Sequence, residues 1–167
     1  MAYNFLGLVN EVNRRLNEVE LTSSNFATAT GYYNTAKDAV NSAIRHINHE
    51  EFGWPWNHVE EEDILTAGVT RYGYPYDAKT IDMNSFRIKR NSSLNITTTK
   101  LQSMTYQEYL DKYSDYEYNN TTSIRGKPNY VTRAPSQEFI IFPTPDKAYE
   151  LVYEYYRLPV DLINATD

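Results

Sequence analysis

Three groups of side chains have the types and spacing to do chemistry. His46 and His49 stand three apart, with Glu50 and Glu51 behind them and His58 nearby. Neutral imidazoles and carboxylates are a donor set that zinc accepts. The spacing is not the four-residue step that puts both imidazoles of a His-Glu-x-x-His helix on one metal, and the pair flanks Ile47, a core position in the helical pattern. A polar helix end, with its cations near the negative pole of the helix dipole, accounts for the cluster better. The run Glu60, Glu61, Glu62 and Asp63 has the carboxylates for acid/base work or a divalent ion. On a strand, alternation splits it between two faces, and no nucleophile or glycine-rich phosphate loop accompanies it. It reads as a solvated or interface-facing acidic edge, whose charge also discourages edge-to-edge pairing. The third group is basic: Arg87, Lys89, Arg90 and Lys100, then Arg125, Lys127 and Arg133. It suits phosphate contact, a solvent face, or ion pairing with the acidic strand of a neighbouring subunit.

Composition narrows these choices. The net charge of −6 opposes a sequence-independent grip on nucleic acid. With no cysteine among 167 residues, disulfide scaffolds, thiolate metal sites and Cys nucleophiles are excluded together. No apolar run approaches the length of a membrane span, and Met-Ala-Tyr-Asn-Phe lacks the basic start and apolar core of a secretory signal. The expectation is a soluble protein made in a cytoplasm, with no membrane partner, cofactor, metal or catalytic residue. Sixteen tyrosines exceed what a core of this size takes. A broad apolar face with a polar tip suits partly wet interfaces.

The elements that must position these residues follow from periodicity. Phe5, Leu8, Val9, Val12, Leu16 and Val19 share one face of a helix capped by Asn4, with Asn10, Glu11, Arg14, Asn17 and Glu18 opposite. The stretch 22–31 reads as a loop, with Thr30 as a cap for a second helix from Tyr32 to His49. Gly53 and Pro55 end that helix. Trp54 and Trp56 flank Pro55, and this structural junction is expected to seal the helices onto a sheet. Residues 1–57 form a helical segment, and 58–167 a β-rich one in the same structural unit.

In the β-rich part, strands are predicted at Val59–Leu65, Arg71–Asp77, Met83–Arg90 and Leu101–Met104, with a turn at Asn91–Asn95. Thr105 and Glu108 make a capping box for a short helix at about 105–113, and Ser114–Ser123 reads as a mobile loop. Near the end, Gly126-Lys-Pro-Asn-Tyr130 turns into a strand through Phe139–Phe142. Pro143 and Pro145 form a stiff corner, and Leu151–Arg157 is a second strand stopped at Pro159. Two strands are expected to face each other across that corner. The fold class is α+β: an N-terminal helical pair packed on an antiparallel sheet or small sandwich with one short inserted helix.

Taken in order, Gly53-Trp-Pro-Trp-Asn57, Gly126-Lys-Pro-Asn-Tyr130, Phe142-Pro-Thr-Pro-Asp146 and Tyr153-Glu-Tyr-Tyr-Arg-Leu-Pro159 resemble the head-to-tail adaptor proteins of tailed bacteriophages. The nearest likeness is to those of short-tailed phages, the tail tubular protein A or neck adaptor type. The resemblance implies a homo-oligomeric ring, a dodecamer, between the portal protein and a tail nozzle or tail tube protein. DNA would pass through the lumen without specific binding, and no catalysis is involved. It also implies a virion location and further helical sequence after the Leu-Pro corner, where this chain has eight residues beyond Pro159. Such a ring needs two different contact faces per subunit. The expected interface residues are Tyr72, Tyr74 and Tyr76 in a hairpin over 66–77, Tyr116 and Tyr118 in the 114–123 loop, and Arg125 and Lys127. The loop is expected to reach the portal or tail neighbour. The competing reading is a β-rich carbohydrate- or receptor-binding module of a tail fibre, which would use Trp54, Trp56 and the clustered tyrosines as its platform.

Overall fold

The computed structural model describes residues 4–51, 53–91, 96–119 and 122–167. The fold is α+β, as the sequence pattern predicts. Its helices are α1 (Phe5–Arg15), α2 (Tyr32–Glu50) and α3 (Tyr106–Tyr118). Among the described residues the strands are β1 (His58–Leu65), β2 (Arg71–Gly73), β3 (Ala78–Ile81), β4 (Arg87–Asn91), β5 (Ile96–Lys100), β6 (Gln102–Met104), β7 (Tyr130–Ala134), β8 (Glu138–Phe142) and β9 (Tyr149–Arg157). Residues up to Trp54 together with Leu158–Asp167 make a helical unit, and Pro55–Arg157 make a β-rich unit. No helix among the described residues is long and apolar enough to cross a membrane.

In the helical unit, the Asn4 side chain accepts the Gly7 N–H at 2.9 Å and starts α1 where its capping chemistry predicts. The apolar stripe, however, does not run to Val19. Asn17 takes a left-handed φ of 57°, the Glu18 N–H folds back to the Asn13 carbonyl, and Leu16 and Val19 are exposed. The turn returns Leu21 to α1, where Asn10 holds both its main-chain groups: Asn10 Nδ2 donates to Leu21 O and Leu21 N–H donates to Asn10 Oδ1, each at 2.8 Å. Asn10 is therefore buried, not part of the polar face that its period suggests. Leu21 and Phe26, from a stretch whose composition reads as loop, complete the core with Phe5, Val9, Ala36 and Val40. The rings of Phe5 and Phe26 meet edge to face at 5.2 Å.

Helix α2 begins without the expected Thr30 cap. Its N-cap is Gly31, at φ 66° and ψ −127°, a conformation that glycine adopts without a Cβ clash. The last ten residues, expected with the β-rich segment, return to the helices. Phe5 N–H donates to Asp167 O and Leu6 N–H to Ala165 O, satisfying two of the orphan donors at the start of α1. Leu162 and Ala165 pack on the helical core.

In the β-rich unit one sheet has the order β1-β9-β4-β5, with β3 also on β9, and the other has the order β2-β8-β7-β6. Pairing is antiparallel except between β6 and β7, which run parallel and make the second sheet mixed. The sheets share a core. Leu65, Leu151 and Tyr153 come from the first, Val131, Phe139 and Ile141 from the second, and Phe86 from the residue just before β4. Phe86 stacks on Tyr153 at 4.8 Å, and Phe139 meets both edge to face at 5.0 and 5.5 Å. On the other side of β8, Ile140 packs with Tyr109 of α3. Burial on both faces explains the unbroken apolar run Phe139–Phe142.

Several boundaries differ from the sequence pattern. Strands β8 and β9 face each other through the shared core, Phe139 against Tyr153, but they are not hydrogen-bonded partners. They belong to different sheets, and the corner, with a cis Phe142–Pro143 bond, hands the chain from one to the other. Residues 66–77 are not a hairpin: β2 pairs with β8, whereas β1 and β3 pair with β9. Strand β5, unread in the sequence, pairs with β4 over Ile96–Lys100, and residues 92–95 of the predicted turn lie outside the described residues. The Thr105–Glu108 capping box is present, but α3 continues five residues past Tyr113 to Tyr118. Most of the predicted 114–123 loop is thus helix or the short 3₁₀ turn Thr122–Ile124, with residues 120 and 121 outside the described residues.

Candidate assembly interface

The two chemically distinct surfaces of the β-rich unit are built at opposite ends of β9. That strand places Leu151, Tyr153 and Tyr155 inward by alternation, all of them buried. Toward its C-terminal end a cleft of about 350 Å³ is walled by Tyr74, Tyr76, Tyr153 and Tyr155 and carries Glu61, Asp63 and Asp77. Alternation along β1 divides the acidic run as its period predicts, leaving Glu60 and Glu62 exposed and Glu61 and Asp63 half-buried. Tyr153 donates its hydroxyl to Asp63 at 2.9 Å, and Tyr155 to Asp77 at 3.0 Å. Burial, followed by these carboxylates, raises both phenols above the usual range, that of Tyr155 to about 12. Among the described residues, no Lys, Arg or His forms an ion pair with Glu61, Asp63 or Asp77.

At the other end of β9, a cleft of about 510 Å³ is lined by Lys89, Arg90, Lys127, Lys147, Tyr149 and Glu150, among others. Lys89 pairs with Glu62. Lys127 Nζ donates to Thr99 Oγ1 at 3.2 Å, and Lys147 lies over the Tyr149 ring at 5.6 Å. Burial and a 2.7 Å hydrogen bond to Asp146 push the Tyr149 phenol up to about 12. Four cations against Glu150 and the Glu62 partner leave this cleft positive.

The expected interface residues do not gather in one place. Tyr72 and Tyr74 lie half-buried beside Phe139, with ring centroids 5.7 and 6.3 Å away. Tyr72 holds the 66–69 turn: its hydroxyl accepts from Thr66 N–H at 2.9 Å and lies 3.2 Å from the Thr66 and Val69 carbonyls. Tyr76 is 99% exposed at the acidic cleft. On α3, Tyr116 meets Phe142 edge to face at 5.8 Å, while Tyr118 is 84% exposed. Arg125 is half-buried next to Gly68, and Lys127 belongs to the basic cleft.

At the junction, Trp54 donates its indole N–H to Ile47 O at 2.9 Å. Pro55–Asn57 form a 3₁₀ turn, and Trp56 is 59% exposed. His46 lies 3.5 Å from Glu50, and His58 contacts Glu154 at 3.0 Å while stacking on Tyr156. Among the described residues, no group of three or more His, Cys, Asp or Glu could hold a metal ion.

Sequence reasoning missed Lys147 and the convergence of Asp77 with Tyr153 and Tyr155. Lys147 stands alone in a turn, and Asp77 meets β9 only through the pairing of β3 with β9. Neither carries a local periodic signal. A family model described as SU10 adaptor protein matches residues 3–167. No curated protein matches the chain.

Proposed function

The chain belongs to the SU10 adaptor protein family, and on that premise we propose that it is a structural head-to-tail adaptor of a tailed phage virion. It forms a ring between the portal and the tail nozzle or tube, and the genome passes through the lumen. The observation that carries this reading is the family match across residues 3–167, helical and β-rich units alike. The physical chemistry of the chain supports it. The role is a coupling one, without a catalytic step. A net charge of −6 disfavours adhesion to passing DNA. Two oppositely charged clefts on one unit give a subunit the unlike faces that a closed ring requires. We assign the exposed end of α3, with Tyr118, to the contact with the portal or tail neighbour.

The carbohydrate-binding alternative needs Trp54 and Trp56 presented together. Trp54 is half-buried, and its indole N–H is committed to the Ile47 carbonyl, which favours a structural role for this ring over a ligand platform.

The test is the mass of the full chain by sedimentation and negative-stain imaging, alone and with the portal of the same phage. A ring, free or seated on the portal, is expected. A chain that stays monomeric and ignores the portal overturns the reading. Tyr118→Ser should weaken portal or tail docking while leaving the thermal midpoint unchanged. Undiminished docking would remove α3 from that contact.

A further inference from the structure

The basic cleft is an unusual feature in a chain of net charge −6. Its cations come from three separate places: Lys89 and Arg90 on β4, Lys127 before β7, and Lys147 before β9. Like charges held this close repel one another, and among the described residues Lys89 alone of the four forms an ion pair, with Glu62. Such a surface is favourable when something negative sits on it.

The same unit carries the complementary surface. Glu61, Asp63 and Asp77 share a cleft with four tyrosine rings, and Asp63 and Asp77 accept hydrogen bonds from the hydroxyls of Tyr153 and Tyr155. Aromatic walls beside unpaired carboxylates favour an ammonium or guanidinium twice over, through ion pairing and through the ring faces. Tyr76, almost wholly exposed, supplies an apolar face that buries no chain of its own unit. Tyr149 in the basic cleft and Tyr155 in the acidic one are six residues apart on β9, which places the two surfaces about 20 Å from each other.

We infer that the basic cleft of one subunit seats the acidic, tyrosine-lined face of a second copy, so that subunits join head to tail. This rests on the ring reading above and names the contact that would build the ring. The occupant is a second copy because its charge and its aromatic surface both complement the cleft. A nucleic acid would satisfy the cations but leave the acidic cleft empty. Pairing surfaces from opposite ends of a strand uses a different face on each subunit, the heterologous contact that closes into a ring.

The contact predicts an unusual pattern of complementation. Lys127→Glu with Lys147→Glu reverses the basic cleft, and Glu61→Lys reverses its partner. Both changes lie on exposed or half-exposed positions, and circular dichroism checks that each variant folds. Each variant alone should lose self-association by about tenfold or more, because like now faces like. Mixed in equal amounts, the two should reassemble, since every reversed cleft then finds a reversed partner in an alternating ring. Tyr76→Ser should weaken assembly without changing stability. Sedimentation of the full-length chains at low salt reads all of these outcomes.

If wild type assembles and the reversed variants assemble equally well, this contact is wrong and the ring reading stands. If wild type remains monomeric at every concentration, with and without portal, both fail. Assembly that stops at a dimer refutes head-to-tail pairing, since an isologous contact closes after two copies. If wild-type assembly requires added duplex DNA and Lys127→Glu with Lys147→Glu abolishes DNA binding, the cleft is a phosphate site and the protein–protein contact is refuted.

Discussion

Asn41, in the middle of α2, holds the main chain of Leu162 by two reciprocal hydrogen bonds: Asn41 Nδ2 donates to the Leu162 carbonyl, and the Leu162 N–H donates to Asn41 Oδ1, both at 3.0 Å. A carboxamide offers a donor and an acceptor side by side, the same pair that a neighbouring strand would present. Asn10 does the same for Leu21. Two buried asparagines thus stand in for secondary structure where extended segments cross helices. Asn41→Ala should cost about 2 kcal/mol, two net hydrogen bonds plus main-chain groups left dry. Asn41→Asp keeps the acceptor but sets a carboxylate against the Leu162 carbonyl, and should be no better. Chemical denaturation measures both. A loss below about 0.5 kcal/mol would mean that the C-terminal segment adds nothing to the helical unit.

These two asparagines also mark where the sequence stops being legible. Strands β1 and β9, α2 and the caps at Asn4 and Thr105 follow from local periodicity and turn chemistry, which a single segment carries in itself. The Asn10–Leu21 clamp and the return of 162–167 to α1 depend on partners far along the chain, and nothing local in either segment announces them. The same holds for sheet membership. The apolar run Phe139–Phe142 and the alternation of Leu151–Arg157 identify strands, but strand identity does not say which strand pairs with which. Of the clefts, the charged residues of β1 and β4 were visible, while Lys147 and Asp77 acquire meaning only from pairing on β9.

Arg71 of β2 grips Glu117 of α3 with two hydrogen bonds, Nε to Oε1 at 2.5 Å and Nη2 to Oε2 at 3.2 Å, and Tyr109 adds a third at 2.9 Å. Burial pushes the Glu117 carboxyl up, but the bonds from Arg71 and Tyr109 outweigh it and leave its pKa below the ordinary glutamate value. A depressed carboxyl contributes stability above its unfolded pKa and loses it as pH falls through the folded one. Stability should therefore decline below about pH 4.5. Glu117→Gln should flatten that decline and cost about 1–2 kcal/mol at neutral pH. Urea titrations of both chains across the acidic range decide the matter, and identical acid profiles would deny the pair this role.

The opposite limb belongs to the tyrosines. Burial, then the nearby carboxylates, raises the phenols of Tyr153 and Tyr155, the latter to about 12. A neutral acid with a raised folded pKa leaves stability intact below its unfolded pKa, and stability falls as the unfolded state ionises above it. The β-rich unit should lose stability from about pH 10 upward, and Tyr153→Phe should blunt the loss. The same variant removes the hydrogen bond to Asp63 and should cost about 1 kcal/mol at neutral pH. Ultraviolet titration of tyrosinate, followed together with unfolding, should show a fraction of phenols that ionise only as the chain unfolds. If all of them ionise freely near pH 10 while the fold persists, the buried phenols are not sheltered.

Gly68 separates two sources of backbone constraint. Its φ is 80°, its N–H donates to the Pro145 carbonyl at 2.9 Å, and a Cβ built there would stand 2.9 Å from Arg125 Cζ and Nη1. The atoms it would meet are the far end of a flexible side chain and can move at small cost. The left-handed backbone cannot be relieved in that way, so the conformational penalty dominates. Gly68→Ala should destabilise by about 1 kcal/mol. Arg125→Ala in the same chain removes the steric neighbour but leaves φ unchanged, so Gly68→Ala should cost nearly as much in that background. Thermal or urea unfolding of the double-mutant cycle distinguishes the causes. If the cost of Gly68→Ala vanishes once Arg125 is truncated, the guanidinium is the true constraint and the turn tolerates a side chain at this position.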